Sequence, residues 1–422
     1  MAGYASALGK RNMPHLLSIN SYHYRRGGAD VAYFDHAALM ESLGWRNTFF
    51  SMRFPQNLPC DSSEYFVDEI QFGHRYSTGD KIVKASKVIY SFEARRNLRR
   101  LVFDRRPDIA HLHNIYHHLS PSILPALKEL GVPAIMTAHD LKIVCPNNKM
   151  FNSKGICERC KPSRYLQTIV NRCVHGSLAA STIVAIESTL HHWLGSYQHN
   201  LARIVSPSRF FIDKFVEWGW PRGKFVHIPN FVDANALEPA FEPGAYFVYV
   251  GRLSPEKGLF TLVQAAARAK VPLVVVGTGP ISDELQQMVS RLAAPVSFTG
   301  YKSGAELRAL VRGARAAVLP SEWYENAPYS ILECLTMGKP VVGARIGGIP
   351  ELIRHRETGW LFESGSVDAL EHALRDAYEC SRQDLVELGR RGRRFVESEF
   401  SRERYASAML KLYAEVGIES TP

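Results

Sequence analysis

The chain has 422 residues, with 51 Lys and Arg against 41 Asp and Glu, a formal charge of +10 and 46% apolar side chains. That length accommodates two or three domains, and the ordinary apolar and charged fractions exclude a disordered or fibrous chain. Seven cysteines over this length exclude a disulfide scaffold. No apolar run reaches the roughly 18–20 residues of a membrane span, and "MAGYASALGKRNMPHLLSIN" lacks the pattern of a secretory leader, so a cytoplasmic protein is expected.

Apolar runs of strand length alternate with helical periods, the pattern of parallel sheets flanked by helices. In the first half the strands are predicted near 15–20, 46–51, 108–113, 133–138, 202–206 and 224–229. The proline-rich, aperiodic stretch over 229–244 then marks a linker. The rhythm resumes with strands near 246–251, 272–277, 295–300, 316–320 and 339–344, interleaved with helices over 259–269, 282–292 and 304–312. Two helices, about 383–398 and 401–416, close the chain. The fold class is therefore α/β, with two doubly wound, Rossmann-like parallel-sheet domains. Ligands of such sheets bind beyond the carboxyl ends of the strands, so two facing domains imply a cleft.

Several short stretches carry chemistry. "INSYHYRRGGAD" (19–30) puts Gly27 and Gly28 after the first strand, and "ARIGGIPELI" (344–353) adds another glycine pair after a later one. Glycines at such turns let backbone amides approach phosphate or sugar. "VGRLSPEKG" (250–258) holds Arg252 and Lys257 five apart in a loop between strand and helix, where two cations could stabilise charge on a departing diphosphate. In "YENAPYSILE" (324–333), Pro328 suits the first turn of a helix over 328–337 and Gly338 its end. Glu325 sits in the loop before that helix, either accepting sugar hydroxyls or capping the helix. Glu333 sits within it, either holding both hydroxyls of a ribose or exposed to solvent.

The set "RRGGAD", "TAHD", "VSPSRFFIDKF", "HIPNFVD", "VGRLSPEKG", "FTGY", "YENAPYSILE" and "GGIPELI" resembles glycosyltransferase family 4, over about residues 14–400. The resemblance implies the GT-B fold and a retaining glycosyltransferase that uses a nucleotide-sugar donor, UDP- or GDP-linked. It implies an acceptor-binding domain over 1–230, a linker over 231–244 and a donor-binding domain over 245–398. A helix within 399–422 would pack back on the first domain. It also implies that Glu333 holds the ribose, Glu325 contacts the donor sugar, and the amides of Asn326 and Ala327 lie near the diphosphate. Arg252, Lys257, Gly27 and Gly28 would grip that diphosphate, Tyr301 would belong to the donor site and His139 would lie near the sugar. No Asp-x-Asp occurs, so no catalytic metal is expected, Arg252 and Lys257 supplying the positive charge.

Two regions of the first half remain. "HLHNIYHHL" (111–119) offers His113 and Asn114, with Asp140 nearby in sequence order of strands, as polar contacts to donor or acceptor, while His111 is expected to be structural. The insertion over 145–175 holds Cys145, Cys157, Cys160 and Cys173, whose outer gaps are eleven and twelve residues. The set has the ligand count of a structural zinc site, or is a free-thiol loop over the acceptor site. Arginines 95, 96, 99, 100, 105 and 106, and 390, 391, 393 and 394, form two clusters that could meet an anionic membrane or be solvated helix faces. Nucleic acid is not expected, because no binding motif accompanies the charge. A GT-B-like epimerase or phosphorylase shares the architecture. The expected acceptor is a glycan or lipid-linked glycan at the inner membrane face.

Overall fold

Two six-stranded sheets, each wholly parallel, organise the computed structural model, which describes residues 13–69 and 85–418. The first domain contains β1 (His15–Ile19), β2 (Arg46–Phe50), β3 (Ile109–Leu112), β4 (Ala134–Thr137), a small hairpin of β5 (Phe151–Asn152) and β6 (Gly155–Ile156), then β7 (Arg203–Ser206) and β8 (Phe225–His227). The second contains β9 (Phe247–Val250), β10 (Leu273–Val276), β11 (Val296–Gly300), β12 (Ala316–Leu319), β13 (Val341–Ala344) and β14 (Gly359–Phe362). The spatial orders are β2-β1-β3-β4-β7-β8 and β11-β10-β9-β12-β13-β14. β14 was not anticipated: "GWLF" is too short and glycine-led to stand out, and it becomes a strand because Trp360 and Phe362 bury against β13. The helix after β12 runs Tyr329–Thr336, so Pro328 precedes the first turn as its cap residue rather than lying in it. Gly338 does end that element in a left-handed conformation, φ 75°.

Successive strand residues point to opposite faces, and each face has its own core. Leu17, Leu112 and Met136 meet Leu98, Leu101, Leu124 and Phe215 on one side of the first sheet. Leu16, Ile109, Ile135 and Val205 meet Met409, Leu412 and Tyr413 on the other. Those last three residues come from the helix Arg402–Glu415, which therefore packs on the first domain. The Tyr413 hydroxyl is 2.8 Å from His36 Nε2 and 2.7 Å from His111 Nδ1, and His111 Nε2 reaches Thr137 Oγ1 at 2.7 Å. His111 is thus a fully buried structural histidine, satisfied on both nitrogens. The preceding helix, Arg382–Glu399, packs Leu385, Leu388, Phe395 and Val396 into the core of the second domain. The outgoing and returning crossings are bonded to each other, Val232 N–H to the Phe400 carbonyl at 3.0 Å.

Both sheets change direction at one place, between β1 and β3 and between β9 and β12. Loops leaving the carboxyl ends of strands beside such a point diverge and leave a crevice. Gly27 and Gly28 follow β1, Arg252 and Lys257 follow β9, and Glu325 to Ala327 follow β12. The arginines near 393 are engaged internally: Arg393 donates to the carbonyls of Ala234, Leu237 and Thr336, and Arg391 and Arg394 pair with Glu387. Replacing Tyr413 by Phe removes the hydroxyl shared by two buried imidazoles. It is expected to lower the unfolding free energy by about 1–3 kcal/mol, read from the urea midpoint; an unchanged midpoint would mean that apolar contact alone docks the last helix.

Candidate active site

Two helix amino termini converge in the cleft. Gly27 is the cap residue of the helix Gly28–Ser42, Pro328 that of Tyr329–Thr336, and neither has a side-chain cap. They are close: a Cβ added to Gly28 would lie 3.6 Å from the Tyr329 ring. Uncapped amides at two positive helix ends favour an anion between them. A cavity of about 180 Å³ here is lined by Gly28, His139, Asp140, Asn230, Glu325 and Ala327, among others.

Lys257 Nζ lies 2.7 Å from Glu325 Oε1, and the Ser321 hydroxyl donates to the same oxygen at 2.7 Å. The Lys257 ammonium also stands 4.8 Å from the Trp323 ring centroid. Glu325 is therefore not a helix cap; it is a buried carboxylate whose charge is met by Lys257. The carboxylate of Glu333, one helical turn further in, has no hydrogen-bond or ion-pair partner among the described residues. Burial, and then the nearby Asp35 of the first domain, push its carboxyl up to about 7. Arg252 is exposed, with no partner for its guanidinium among the described residues. Tyr301 is 73% exposed beyond the edge strand β11, and it, like Arg252, Lys257 and Glu333, lies outside the lining of that cavity.

The glycine pair of the later loop has a different neighbour from the expected phosphate. A Cβ at Gly348 would sit 1.9 Å from the Asn326 carbonyl oxygen and one at Gly347 2.3 Å from that of Glu325, and Gly348 N–H donates to the Glu325 carbonyl at 2.8 Å. These glycines admit the backbone of the 325–326 loop. Asn326 in turn spans the domains, its amide donating to the Ala138 carbonyl at 2.9 Å and its carbonyl oxygen accepting the Ser208 hydroxyl at 2.7 Å. Asn230 donates to the Ala327 carbonyl at 2.9 Å, and Glu351 accepts the amides of Arg209 and Phe210. The motifs containing Asn230 and Glu351 were visible in sequence, whereas Ser321 and Trp323 fall between the predicted strand and the next motif, and a partner 97 residues away in the chain leaves no local signal.

On the first-domain wall, His139 Nε2 is 2.8 Å from His113 Nδ1 and the two rings stack. Burial lowers His139 to about 4 and His113 well below the ordinary value, so both are neutral and one donates to the other. His113 is 1% exposed, and its Nε2 is buried without a hydrogen-bond partner. Asn114 donates its backbone N–H to Asn20, and its side-chain oxygen is buried without a partner. Asp140 accepts from Lys142 N–H and Asn148 while also lining the cavity.

The four cysteines of the insertion are all free thiols. Cys145 donates to Asn147 Oδ1 at 3.0 Å, Cys160 lies 3.6 Å from Thr168 Oγ1, and among the described residues no three His, Cys, Asp or Glu side chains are placed to hold a metal ion. The thiols are nonetheless near one another: burial first, then Cys160 and Cys157, raises Cys173 to about 11, and Cys160 and Cys173 add to the rise that burial gives Cys145.

Residues 26–236 match the family model described as Glycosyltransferase Family 4, and residues 236–395 the one described as Glycosyl transferases group 1. WcaL of Escherichia coli (strain K12), named as a colanic acid biosynthesis glycosyltransferase, is 26% identical over 52% of this chain and 59% of its own length. The match thus spans less than two thirds of that relative. A glycogen synthase of Mycobacterium tuberculosis (strain ATCC 25618 / H37Rv) is 28% identical over 75% of this chain and 71% of its own. Among solved structures, sucrose-phosphate synthase from Thermosynechococcus elongatus superimposes with a TM-score of 0.70 at 20% identity, covering 96% of this chain and 99% of that one. Anabaena HepE in complex with UDP and glucose gives 0.65 at 16%, covering 96% and 100%.

Glu333 also makes stability depend on pH. A carboxyl raised from 4.5 to about 7 by folding favours the native state while protonated, and that contribution is lost as pH rises through 7. Glu333→Gln is therefore expected to raise the melting temperature at pH 8 and to leave it nearly unchanged at pH 5. An equal effect at both would show that the carboxyl is not raised.

Proposed function

Because the chain belongs to glycosyltransferase family 4 and has the GT-B fold, we propose that it moves a sugar from a UDP- or GDP-linked donor to a glycan or lipid-linked glycan, with retention of anomeric configuration. The carrying observation is the meeting, in one cleft, of two uncapped helix ends, the Lys257–Glu325 pair and the unpartnered Glu333.

The donor diphosphate lies between the amides near Gly28 and those at the start of Tyr329–Thr336, with Arg252 and Lys257 as its cations. Before donor enters, Glu325 neutralises Lys257. The diphosphate gives that ammonium a second anion and leaves Glu325 a lone pair for a sugar hydroxyl. Glu333 accepts both ribose hydroxyls, which requires its ionised form. The acceptor oxygen attacks the anomeric carbon on the face the diphosphate leaves. The bond from that carbon to the phosphate oxygen breaks as the new glycosidic bond forms, and the departing phosphate oxygen takes the acceptor's proton. Lys257, Arg252 and the helix ends stabilise the charge that grows there. His139, held neutral, offers the sugar a hydrogen bond rather than a charge.

A phosphorylase of this fold would need a lysine for a pyridoxal cofactor. Of the two buried lysines among the described residues, Lys142 is paired with Glu187 at 2.6 Å, and Lys339 sits at the amino end of β13 and donates to the Glu242 carbonyl. An epimerase would alter the donor without an acceptor, so incubating donor alone and analysing the products separates it from a transferase. A lipid-linked acceptor and contact with an anionic membrane are supported by the helix Phe92–Arg105. It holds Phe92 and Phe103 76% and 74% exposed, with Arg96 and Arg100 exposed between them at helical spacing. Among the described residues no helix is long and apolar enough to cross a membrane.

Either UDP or GDP is expected to raise the melting temperature, because a ligand bound only by the native state stabilises it. Its affinity should fall about tenfold from pH 8 to pH 6 as Glu333 protonates, a dependence absent in Glu333→Gln. If neither nucleotide shifts the melting curve, the donor assignment fails. Lys257→Ala is expected to lower turnover at least about a hundredfold in a folded protein; near-normal turnover would remove its role at the phosphate.

A further inference from the structure

The insertion between Cys145 and Cys173 touches the second domain at two points, and each point is one residue from a member of the Lys257–Glu325 pair. Lys149 Nζ lies 2.5 Å from Glu256 Oε1, and Glu256 precedes Lys257 in the turn Pro255–Lys257. Tyr324, which precedes Glu325, donates its hydroxyl to Glu158 Oε1 at 2.9 Å. The same Glu158 oxygen accepts Lys214 Nζ at 2.7 Å, and the Tyr324 ring has Lys214 5.1 Å and Phe210 4.9 Å from its centre. The two second-domain loops are themselves joined, Glu322 N–H donating to the Glu256 carbonyl at 2.9 Å.

The insertion is anchored on its own side next to His139. Asn148 donates to Asp140 at 3.2 Å, and Asn147 Oδ1 accepts from Lys149 N–H at 3.1 Å. So a short path of one hydrogen bond, one peptide unit and one ion pair runs from the first-domain wall of the cleft, through Lys149, to the turn that aims Lys257. A second path runs through Glu158 and Tyr324 to the loop that aims Glu325. As stabilisers these contacts are weak. Lys149 is 41% exposed, and partly exposed ion pairs contribute little to folding. Their effect is in placement, since displacing a reacting group by a fraction of an ångström costs rate out of proportion to stability.

We propose that Lys149 and Glu158 are positioning residues, and that the insertion is a strap setting the separation of Lys257 and Glu325 when the domains meet. Neither residue touches reacting atoms; each acts through Glu256 or Tyr324. The strap's part in turnover rests on the donor-cleft proposal above. Its physical basis does not, and can be tested without nucleotide.

Hydrogen exchange on the full chain compares the parent with the Lys149→Ala, Glu158→Ala double variant. Peptides covering 254–258 and 321–327 are expected to exchange at least about tenfold faster while β9 and β12 are unchanged. Lys149→Arg should retain protection at 254–258. Unchanged exchange at both loops, or a rise across the whole second domain, would overturn the proposal. Should the double variant not fold, Tyr324→Phe decides: it keeps the ring and removes only the hydroxyl, so unchanged exchange at 321–327 overturns the Glu158 link. In hydrolysis of UDP-glucose, the double variant is expected to lose about tenfold in kcat with KM within about twofold; parent-like kcat would also overturn it. Failure of both UDP and GDP to bind would instead remove the donor-cleft proposal and leave the exchange result standing.

Discussion

One short loop, Ser321 to Pro328, must satisfy two domains at once, and the rest of the site follows from that. Its carboxylate, Glu325, is buried, and a buried charge requires a cation at hydrogen-bond distance. Lys257 provides it from the neighbouring loop of the same domain. Its amide side chain, Asn326, faces the first domain and bonds Ala138 and Ser208 there. Its backbone is so closely covered that only glycine fits at positions 347 and 348. The loop that carries the chemistry is therefore also the seam of the molecule.

The seam is not the only junction between the domains. The chain crosses from first to second domain near Val232 and returns near Phe400, and these strands of chain are hydrogen-bonded to one another. The last helix is then locked to the first sheet through Tyr413, His36 and His111. The two domains are thus joined by a pair of adjacent crossings, while the cysteine-rich insertion also bridges them through Lys149 and Glu158.

Electrostatics within the cleft divide the acidic groups by environment. Glu325 is compensated and Glu333 is not, although the two are eight residues apart in one motif. His139 and His113 are neutral because burial disfavours two imidazolium charges side by side. The formal charge of +10 is also unevenly used. The arginines around 393 are absorbed by carbonyls and Glu387, whereas those of Phe92–Arg105 partly face solvent.

Much of the fold was legible in the chain itself. The helices Leu259–Ala269, Ser282–Leu292 and Gly304–Arg312 begin and end where periodicity and turn residues put them, since apolar spacing and helix termination are local properties. Eleven strands read as apolar runs for the same reason; β5 and β6, two residues each, and β14 did not, the last because its identity depends on burying two aromatic rings against β13. The motif set likewise pointed to the family from residue order alone. What the linear order could not contain was pairing at a distance. That Lys257 meets Glu325, that the Glu333 side chain is left without a partner, that His113 pairs with His139, and that Cys145, Cys157, Cys160 and Cys173 come near enough for charge on one to raise the pKa of another are all decided by which loops the two sheets bring together. Charge compensation and desolvation act through space, so residues 68 positions apart, as Lys257 and Glu325 are, have no relation until the tertiary structure makes them neighbours.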